Sequence, residues 1–299
     1  MFVELYMRYQ QIKKYLTTII DLSIKFIRDL FNSSFKHDVP GTAAEGAYRA
    51  ILSFFPFLMV MVSLLSQSSH KYNLVDELME LLRRFLLPNS ITIIQSYLEN
   101  FVNIPVKTII SVSIFAFFWF GTVYFCAIGK GIAKAYGLSV RPLWRDLFIH
   151  FMLFVFTGVF LVAFSALMIL GPIILKLLNV YIEVPKGITF LLGKLRIFTS
   201  VVGLIILLST IYHISLPKPS SWFTQLPGAA CSATAWVIST GAFSLYLQHF
   251  GLYEKTYGSL AGLIIFLVWL YISNGIFIMG AEINHTLDNL IRDYKKNTN

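Results

Sequence analysis

The sequence is poor in charged residues: Asp, Glu, Lys and Arg together make up 13% of its 299 residues. An ordinary soluble domain has about 25%, and half that fraction cannot cover a water-facing surface of this size. Hydrophobic residues make up 57% of the chain, and the mean hydropathy is +0.71. This balance excludes a soluble globular enzyme, a disordered chain and a nucleic-acid-binding module on a soluble scaffold. It predicts a polytopic membrane protein.

The sequence also lacks the common catalytic and metal-binding motifs. Two cysteines, Cys126 and Cys231, are too few for a disulfide framework, and no His or Cys spacing typical of a zinc site occurs. Neither a phosphate-binding G-x-x-x-x-G-K-[ST] loop nor a G-x-S-x-G nucleophile elbow is found. We therefore expect no enzyme activity, no catalytic residues, no metal ion and no cofactor.

Basic residues outnumber acidic ones, 24 to 15, which gives a net charge of +9. Basic surfaces can bind nucleic acid, but these residues are spread over the tails and the predicted loops. No carboxylate or histidine cluster of the kind that cleaves a phosphodiester is visible in the sequence. We expect no nucleic-acid partner.

Six stretches without charged residues are long enough to cross a bilayer, which requires about 20 apolar residues per helix. None of them alternates strictly between apolar and polar residues, so they predict helices rather than barrel strands. The predicted fold class is all-α, with a single six-helix transmembrane domain over residues 43–284. Its spans are predicted at about residues 47–69, 106–128, 148–172, 197–216, 228–249 and 258–282.

Two further segments are predicted to be helical without crossing the membrane. Residues 1–36 carry apolar side chains at steps of three and four, which indicates an amphipathic helix that is also basic. Such a helix binds an anionic membrane surface or packs on the ends of the spans, and both can hold. Residues 72–100 predict an extracytoplasmic helical segment between spans 1 and 2.

The distribution of Lys and Arg predicts the orientation. The predicted connections carry 14 basic residues on the side of both termini and 8 on the other side, although the loop between spans 3 and 4 runs against this trend. Since basic residues favour the cytoplasmic side, both termini are predicted to be cytoplasmic, with residues 285–299 as a cytoplasmic tail.

A few ionisable residues fall near the predicted span ends, where burial in the membrane is costly and often functional. Glu45 and Arg49 have the favoured order for an i, i+4 ion pair, and Glu282 lies late in the sixth span. These three residues could line a substrate or ion pathway. Alternatively, Glu45 and Arg49 form an interfacial pair, and Glu282 marks a polar helix end held by a basic partner such as Arg49.

Small residues and one proline predict how the helices pack. Pro56 removes a hydrogen bond inside the first span and predicts a kink. Small residues at the start of the sixth span allow close approach of another helix, and we expect residues 228–233 of the fifth span as their partner. The positions predicted to set packing or kinks are Pro56, Gly258, Ser259, Gly262 and Gly280.

Four stretches resemble a known family: AAEGAYRAILSFFPFL (43–58), IYHISLP (211–217), SWFTQLPGAACSATAW (221–236) and YEKTYGSLAGLIIFLVWLYISNGIFIMGAEIN (253–284). With them the chain resembles the YihY / virulence factor BrkB family of bacterial inner-membrane proteins, formerly misnamed ribonuclease BN. The succession YGSLAG, WLY and GAE-N is the most specific part. The resemblance implies a six-helix protein of the bacterial inner membrane, without a settled activity but with transport proposed.

Two functions from different classes follow. The first is a secondary transporter or flippase-like protein for a small solute or lipid. The second is a non-transporting membrane scaffold for envelope maintenance or partner assembly. Membrane lipids, mainly anionic ones, are the expected partners, while a homo-oligomer and the identity of a small-molecule substrate stay open. A polar cavity lined by Glu45, Arg49 or Glu282 would favour transport, and a solid core would favour the scaffold.

Overall fold

The computed structural model of the protein describes residues 23–68, 106–181, 186–218, 220–248 and 260–298, and every regular element among them is a helix. The first, α1, covers residues 23–36 of the described part. The others are α2 (Val39–Ser68), α3 (Val106–Ala135), α4 (Leu143–Tyr181), α5 (Lys186–Ser215), a 3-10 turn (Trp222–Gln225), α6 (Leu226–Gln248) and α7 (Leu260–Thr298).

Six of these helices, α2 to α7, are long and apolar enough to cross a membrane, which confirms the predicted all-α polytopic fold. The described part of the predicted amphipathic helix is helical, whereas residues 1–22 and the predicted segment 72–100 lie outside the described residues. The helices extend past the predicted spans: α7 continues beyond Glu282 to Thr298. The length of an apolar stretch indicates how much of a helix lies in the membrane. The helix itself can continue beyond that stretch.

The helices run up and down, so α2, α4 and α6 begin at the end of the bundle where α3, α5 and the apolar part of α7 finish. We call this the polar end, because most of the buried polar contacts lie there. Lys134 near the end of α3 lies 3.8 Å from Asp38, which precedes α2, so these two helix ends are neighbours. α2 packs on α3 and α7, α6 packs on α5 and α7, and α4 packs on α3 and α5.

Burial differs sharply between the helices. Tyr212, Ile132 and Leu153 are fully buried in a core formed by α3, α4 and α5, with contributions from α6 and α7. By contrast, α4 exposes large side chains such as Phe156 and Val162 along its length. Exposed apolar side chains on a helix with few polar residues are expected where lipid replaces water as the solvent.

The turn between α1 and α2 sets the direction of both helices. Asp38 adopts a left-handed backbone with φ +54, a conformation that Asp tolerates better than most residues. Its Oδ1 accepts a hydrogen bond from the Gly41 N–H at 3.2 Å and so caps the start of α2. α2 then continues through Pro56. The same turn carries His37, which points to α7.

α6 and α7 approach most closely at the polar end. A Cβ on Gly228 would overlap the carbonyl oxygen of Gly280, so both glycines are needed for this spacing. The predicted pairing of residues 228–233 with the start of α7 is therefore wrong for Gly228. The reason is that α6 begins at the end of the bundle where the apolar part of α7 finishes. Gly262 is buried, but it lies about 27 Å from Gly280 along α7, at 1.5 Å per residue, and so is far from Gly228. Gly258 and Ser259 lie outside the described residues.

Candidate functional site

A buried carboxylate on α7 contacts a histidine from the α1–α2 turn. Glu282 Oε1 lies 2.7 Å from His37 Nδ1, and the two side chains are 0% and 15% exposed. The other oxygen, Oε2, is also buried and has no hydrogen-bond partner among the described residues. A buried carboxylate oxygen without a partner is unfavourable for folding, so this pair requires an explanation beyond stability.

The last part of α7 is attached to α1 along its length. Lys25 on α1 lies 3.6 Å from Asp293, and the Ser34 hydroxyl contacts the sulfur of Met279 at 3.2 Å. α1 therefore forms a cover over the face of α7 that bears Glu282. Next to this face, His285, one turn from Glu282, packs its ring 5.0 Å from the ring of Tyr136, which follows α3.

On the other side of α7, Asn284 forms hydrogen bonds to the end of the 3-10 turn and to the start of α6. Its Oδ1 accepts from the Gly228 N–H at 2.7 Å, and its Nδ2 donates to the backbone oxygen and to Oε1 of Gln225, both at 3.1 Å. Gln225 Oε1 also accepts from the Tyr136 hydroxyl at 3.0 Å. Because all polar atoms of the Asn284 side chain are partnered, this seam stabilises the contact between α3, α6 and α7.

A second polar contact joins α5 to α6 and α7. The fully buried Tyr212 hydroxyl donates to the carbonyl of Phe277 at 2.7 Å and lies 3.1 Å from Ser232 Oγ. Ser232 in turn donates to the carbonyl of Ile276 at 2.9 Å. The two hydroxyls thus bind backbone carbonyls of α7 and fix the depth of this helix against its neighbours.

The predicted Glu45–Arg49 ion pair is present, with 2.8 Å between Oε1 and the guanidinium. Lys130 from α3 adds a second cation at 3.1 Å from Oε2. The side chains of Glu45 and Arg49 are 28% and 34% exposed. A partly exposed carboxylate held by two cations fits the interfacial interpretation of this pair.

The predicted contact between Glu282 and Arg49 is replaced by two others: Glu282 binds His37, and Arg49 binds Glu45. The reason lies in the turn before α2. It places His37 directly over α7, whereas Arg49 lies three turns further along α2 and is held by the carboxylate one turn before it.

Two polar groups outside the spanning segments complete the polar end. Arg141 donates to the carbonyls of Ile214, Ser215 and Leu216 and so caps the end of α5, and burial lowers its pKa. Burial raises the pKa of the Tyr136 hydroxyl, which keeps it a hydrogen-bond donor to Gln225.

Sequence reasoning missed His37, Lys130, Gln225 and Arg141. Each contacts a residue more than 70 positions away, so no local spacing reveals the pairing. One signal was available for Asn284, because a polar amide two residues after Glu282 falls on a different face of the helix and needs a partner of its own.

The structure shows three cavities among the described residues, and none of the three is lined by Glu45, Arg49 or Glu282. The polar cavity that would favour transport is therefore not found at these three residues. One of about 310 Å³ opens between α2, α6 and α7 and is apolar, with Ala43, Gly275 and Met279 in its lining. A polar one of about 210 Å³ lies between α1 and the last part of α7. The third, of about 710 Å³, is an aromatic groove between α3 and α4.

The fold and the buried polar end define a polytopic all-α membrane protein. Its family follows from the sequence match: the model of the Virulence factor BrkB family matches residues 30–299, and the chain belongs to this family. This confirms the resemblance found in the sequence.

Two relatives show how far the similarity extends. The putative ribonuclease-like protein YfkH of Bacillus subtilis (strain 168) is 26% identical over 274 residues, covering 88% of this chain and 95% of the relative. A UPF0761 membrane protein of Pseudoalteromonas atlantica (strain T6c / ATCC BAA-1087) is 25% identical over 272 residues, covering 91% and 88%. No solved structure matches this chain. One of these two relatives thus carries a ribonuclease-like name, and the other is named only as a membrane protein.

Proposed function

We propose that this protein is a secondary transporter for an amphipathic or lipid-like small molecule, with the Glu282–His37 pair as its proton-responsive contact. The observation that carries the proposal is the buried Glu282 carboxylate, whose Oε2 has no partner among the described residues. Ionisable groups inside membrane-spanning helices are characteristic of proton relays and substrate pathways.

Oε2 of Glu282 offers a position for a proton, because it has no hydrogen-bond partner among the described residues. A proton added there changes the net charge of the buried pair by one unit. Since burial away from water penalises charge strongly, this change shifts the equilibrium between the state in which His37 and Glu282 are in contact and the state in which they are apart.

The helices that this pair connects also border the apolar cavity of about 310 Å³. Val39 and Ala43 of α2 and Met279 and Ile283 of α7 line it, and Glu282 lies between the last two in sequence. Loss of the His37–Glu282 contact would remove one link between the α1–α2 turn and α7 beside this cavity, and we expect the cavity to widen there. Its apolar lining suits a lipid chain or another apolar group better than a hydrophilic solute.

The surface of α1 and the distribution of basic residues support the proposed membrane location. α1 exposes apolar side chains, including Ile24, Ile27 and Phe31, beside the basic residues Lys25 and Arg28. Such a helix is suited to the surface of an anionic leaflet. Together with the distribution of Lys and Arg, this supports a bacterial inner-membrane location with both termini in the cytoplasm.

The test is flux through the purified, reconstituted protein. Vesicles of phosphatidylethanolamine and phosphatidylglycerol would contain entrapped pyranine to record proton movement, and parallel vesicles would contain a fluorescent phospholipid whose exposure dithionite reveals. We expect activity above empty vesicles in at least one arm for the wild type and for Glu45→Gln. We expect background for Glu282→Gln. Background in both arms for the wild type, or unchanged activity in Glu282→Gln, would contradict the proposal.

The scaffold remains the second candidate because of the polar seam between α6 and α7. Asn284, Gln225 and Gly228 form a closed hydrogen-bonded set at a close helix contact, as expected of helices that do not separate. A scaffold would show background flux in every arm and would be recovered with a partner or as a homo-oligomer.

A further inference from the structure

A cluster of three potential metal ligands lies between α3 and α4, separate from the Glu282 pair. Cys126 comes from α3, and Asp146 and His150 come from the first two turns of α4. One potential ligand atom of each lies within 4.8 Å of the other two. Asp146 and His150 are four residues apart, so both project from one face of α4.

The histidine of this cluster is held as metal-binding histidines are. Its Nδ1 lies 2.9 Å from the backbone oxygen of Asp146 and 3.3 Å from Oδ1 of the same residue. Donation from Nδ1 leaves the lone pair on Nε2, and an outer hydrogen bond of this kind commonly orients a ligating imidazole. His150 is 1% exposed, and its Nε2 has no hydrogen-bond partner in the described part of the chain.

The unpartnered nitrogen faces the helix that carries the cysteine. A Cβ on Gly129 would overlap His150 Nε2, so the absence of a side chain at this position lets the ring approach α3. Gly129 follows Cys126 by three residues and therefore lies one turn away on the same side of α3. Nε2 of His150 thus lies against α3, on the side of this helix from which Cys126 also projects.

We propose that Cys126, Asp146 and His150 bind a divalent transition-metal ion of the zinc class. Thiolate, carboxylate and imidazole are all zinc ligands, and three protein ligands leave a fourth position open. Binding releases the thiol proton of Cys126 to solvent. One thiolate and one carboxylate then balance the two positive charges, and the neutral imidazole adds none, so the complex is electrically neutral at membrane depth.

The cationic neighbours do not compete for the carboxylate. The charge of Arg49 acts on Cys126, and the charge of Arg141 acts on His150. Arg49 is held by Glu45 at 2.8 Å, and Arg141 donates to the carbonyls at the end of α5. A metal ion would accordingly join α3 to the first turns of α4 without breaking either contact. This inference does not depend on the proposed transport function.

The experiment uses the full chain in detergent after treatment with a chelator. Zinc alone is added, and bound metal is counted by mass spectrometry after removal of free ion, while competition with a chromogenic chelator gives the affinity. Cobalt is then added in place of zinc, because thiolate coordination produces a sulfur-to-cobalt charge-transfer band. The variants are Cys126→Ser and Asp146→Asn, with Cys231→Ser and His213→Gln as matched controls.

We expect one equivalent of zinc in the wild type and a thiolate–cobalt band. Affinity should fall at least about ten-fold in Cys126→Ser and Asp146→Asn, and the band should vanish in Cys126→Ser. The controls should match the wild type, since Cys231 is an exposed cysteine on α6 and His213 lies on α5. A wild type without bound zinc, or a Cys126→Ser variant that keeps both affinity and band, would overturn the proposal.

Discussion

Glu282 and Asn284 are both fully buried on α7, two residues apart, yet their surroundings differ. Asn284 faces α6 and has partners for all its polar atoms. Glu282 faces α1 and α2, with one oxygen on His37 and the other without a partner among the described residues. A completed polar network holds a fold together, whereas an incomplete one stores unfavourable free energy that function can use. Under the proposed function, the α6 side of α7 is structural and the α1–α2 side is functional.

The largest effect on stability is expected where α6 and α7 touch through glycine. Gly228→Ala places a methyl group against the carbonyl oxygen of Gly280, and because the obstacle is backbone, one helix must move. We expect a loss of about 1–3 kcal/mol or more, measured by thermal unfolding in nanodiscs. Gly241→Ala on the same helix is the control, since nothing lies within 4 Å of its added Cβ. Equal stability of the two variants would contradict the assignment of the α6 side as structural.

Asn284→Ala should be next in effect. It leaves the Gly228 N–H without its acceptor and the backbone oxygen of Gln225 without this donor, whereas Gln225 Oε1 keeps the Tyr136 hydroxyl. Each unpaired buried group costs about 1–3 kcal/mol. Thermal unfolding of this variant is compared with that of Asn289→Ala, which alters an exposed amide on the same helix. If both variants unfold at the wild-type temperature, the seam does not hold α6 to α7.

Tyr212→Phe should produce a smaller loss. It removes the hydrogen bond to the Phe277 carbonyl but keeps the buried ring, and hydrogen bonds between membrane helices average about 0.6 kcal/mol. The control is Tyr271→Phe, on a partly exposed tyrosine of α7. A loss as large as that of Asn284→Ala would mean that the stability contributed by a polar contact on this side of α7 does not depend on how many hydrogen bonds its side chain makes.

Of these four variants, Glu45→Gln should change stability least. Its carboxylate is partly exposed and held by Arg49 and Lys130, and such pairs contribute below about 1 kcal/mol. Unfolding measured at low and high salt should show the small difference shrinking as salt rises. A salt-independent loss comparable to that of Asn284→Ala would mean that the pair is desolvated in the membrane.

Prediction from sequence succeeded where the signal is local. Six apolar stretches gave the six helices, and the i, i+4 spacing gave the Glu45–Arg49 pair. It failed where helices far apart in sequence meet. His37 as the partner of Glu282, and Gly280 as the partner of Gly228, depend on which helix ends coincide. The Cys126 cluster shows the same limit, because twenty residues and a loop separate its two halves.

The most direct test measures stability and flux of Glu282→Gln in one preparation. Glutamine keeps the size of the side chain and a hydrogen-bonding group for His37, and it removes a buried charge. We predict unfolding at or above the wild-type temperature together with background flux of protons and lipid. A variant that unfolds like Asn284→Ala, or one as stable as the wild type with full flux, would contradict a functional role for the α1–α2 face of α7.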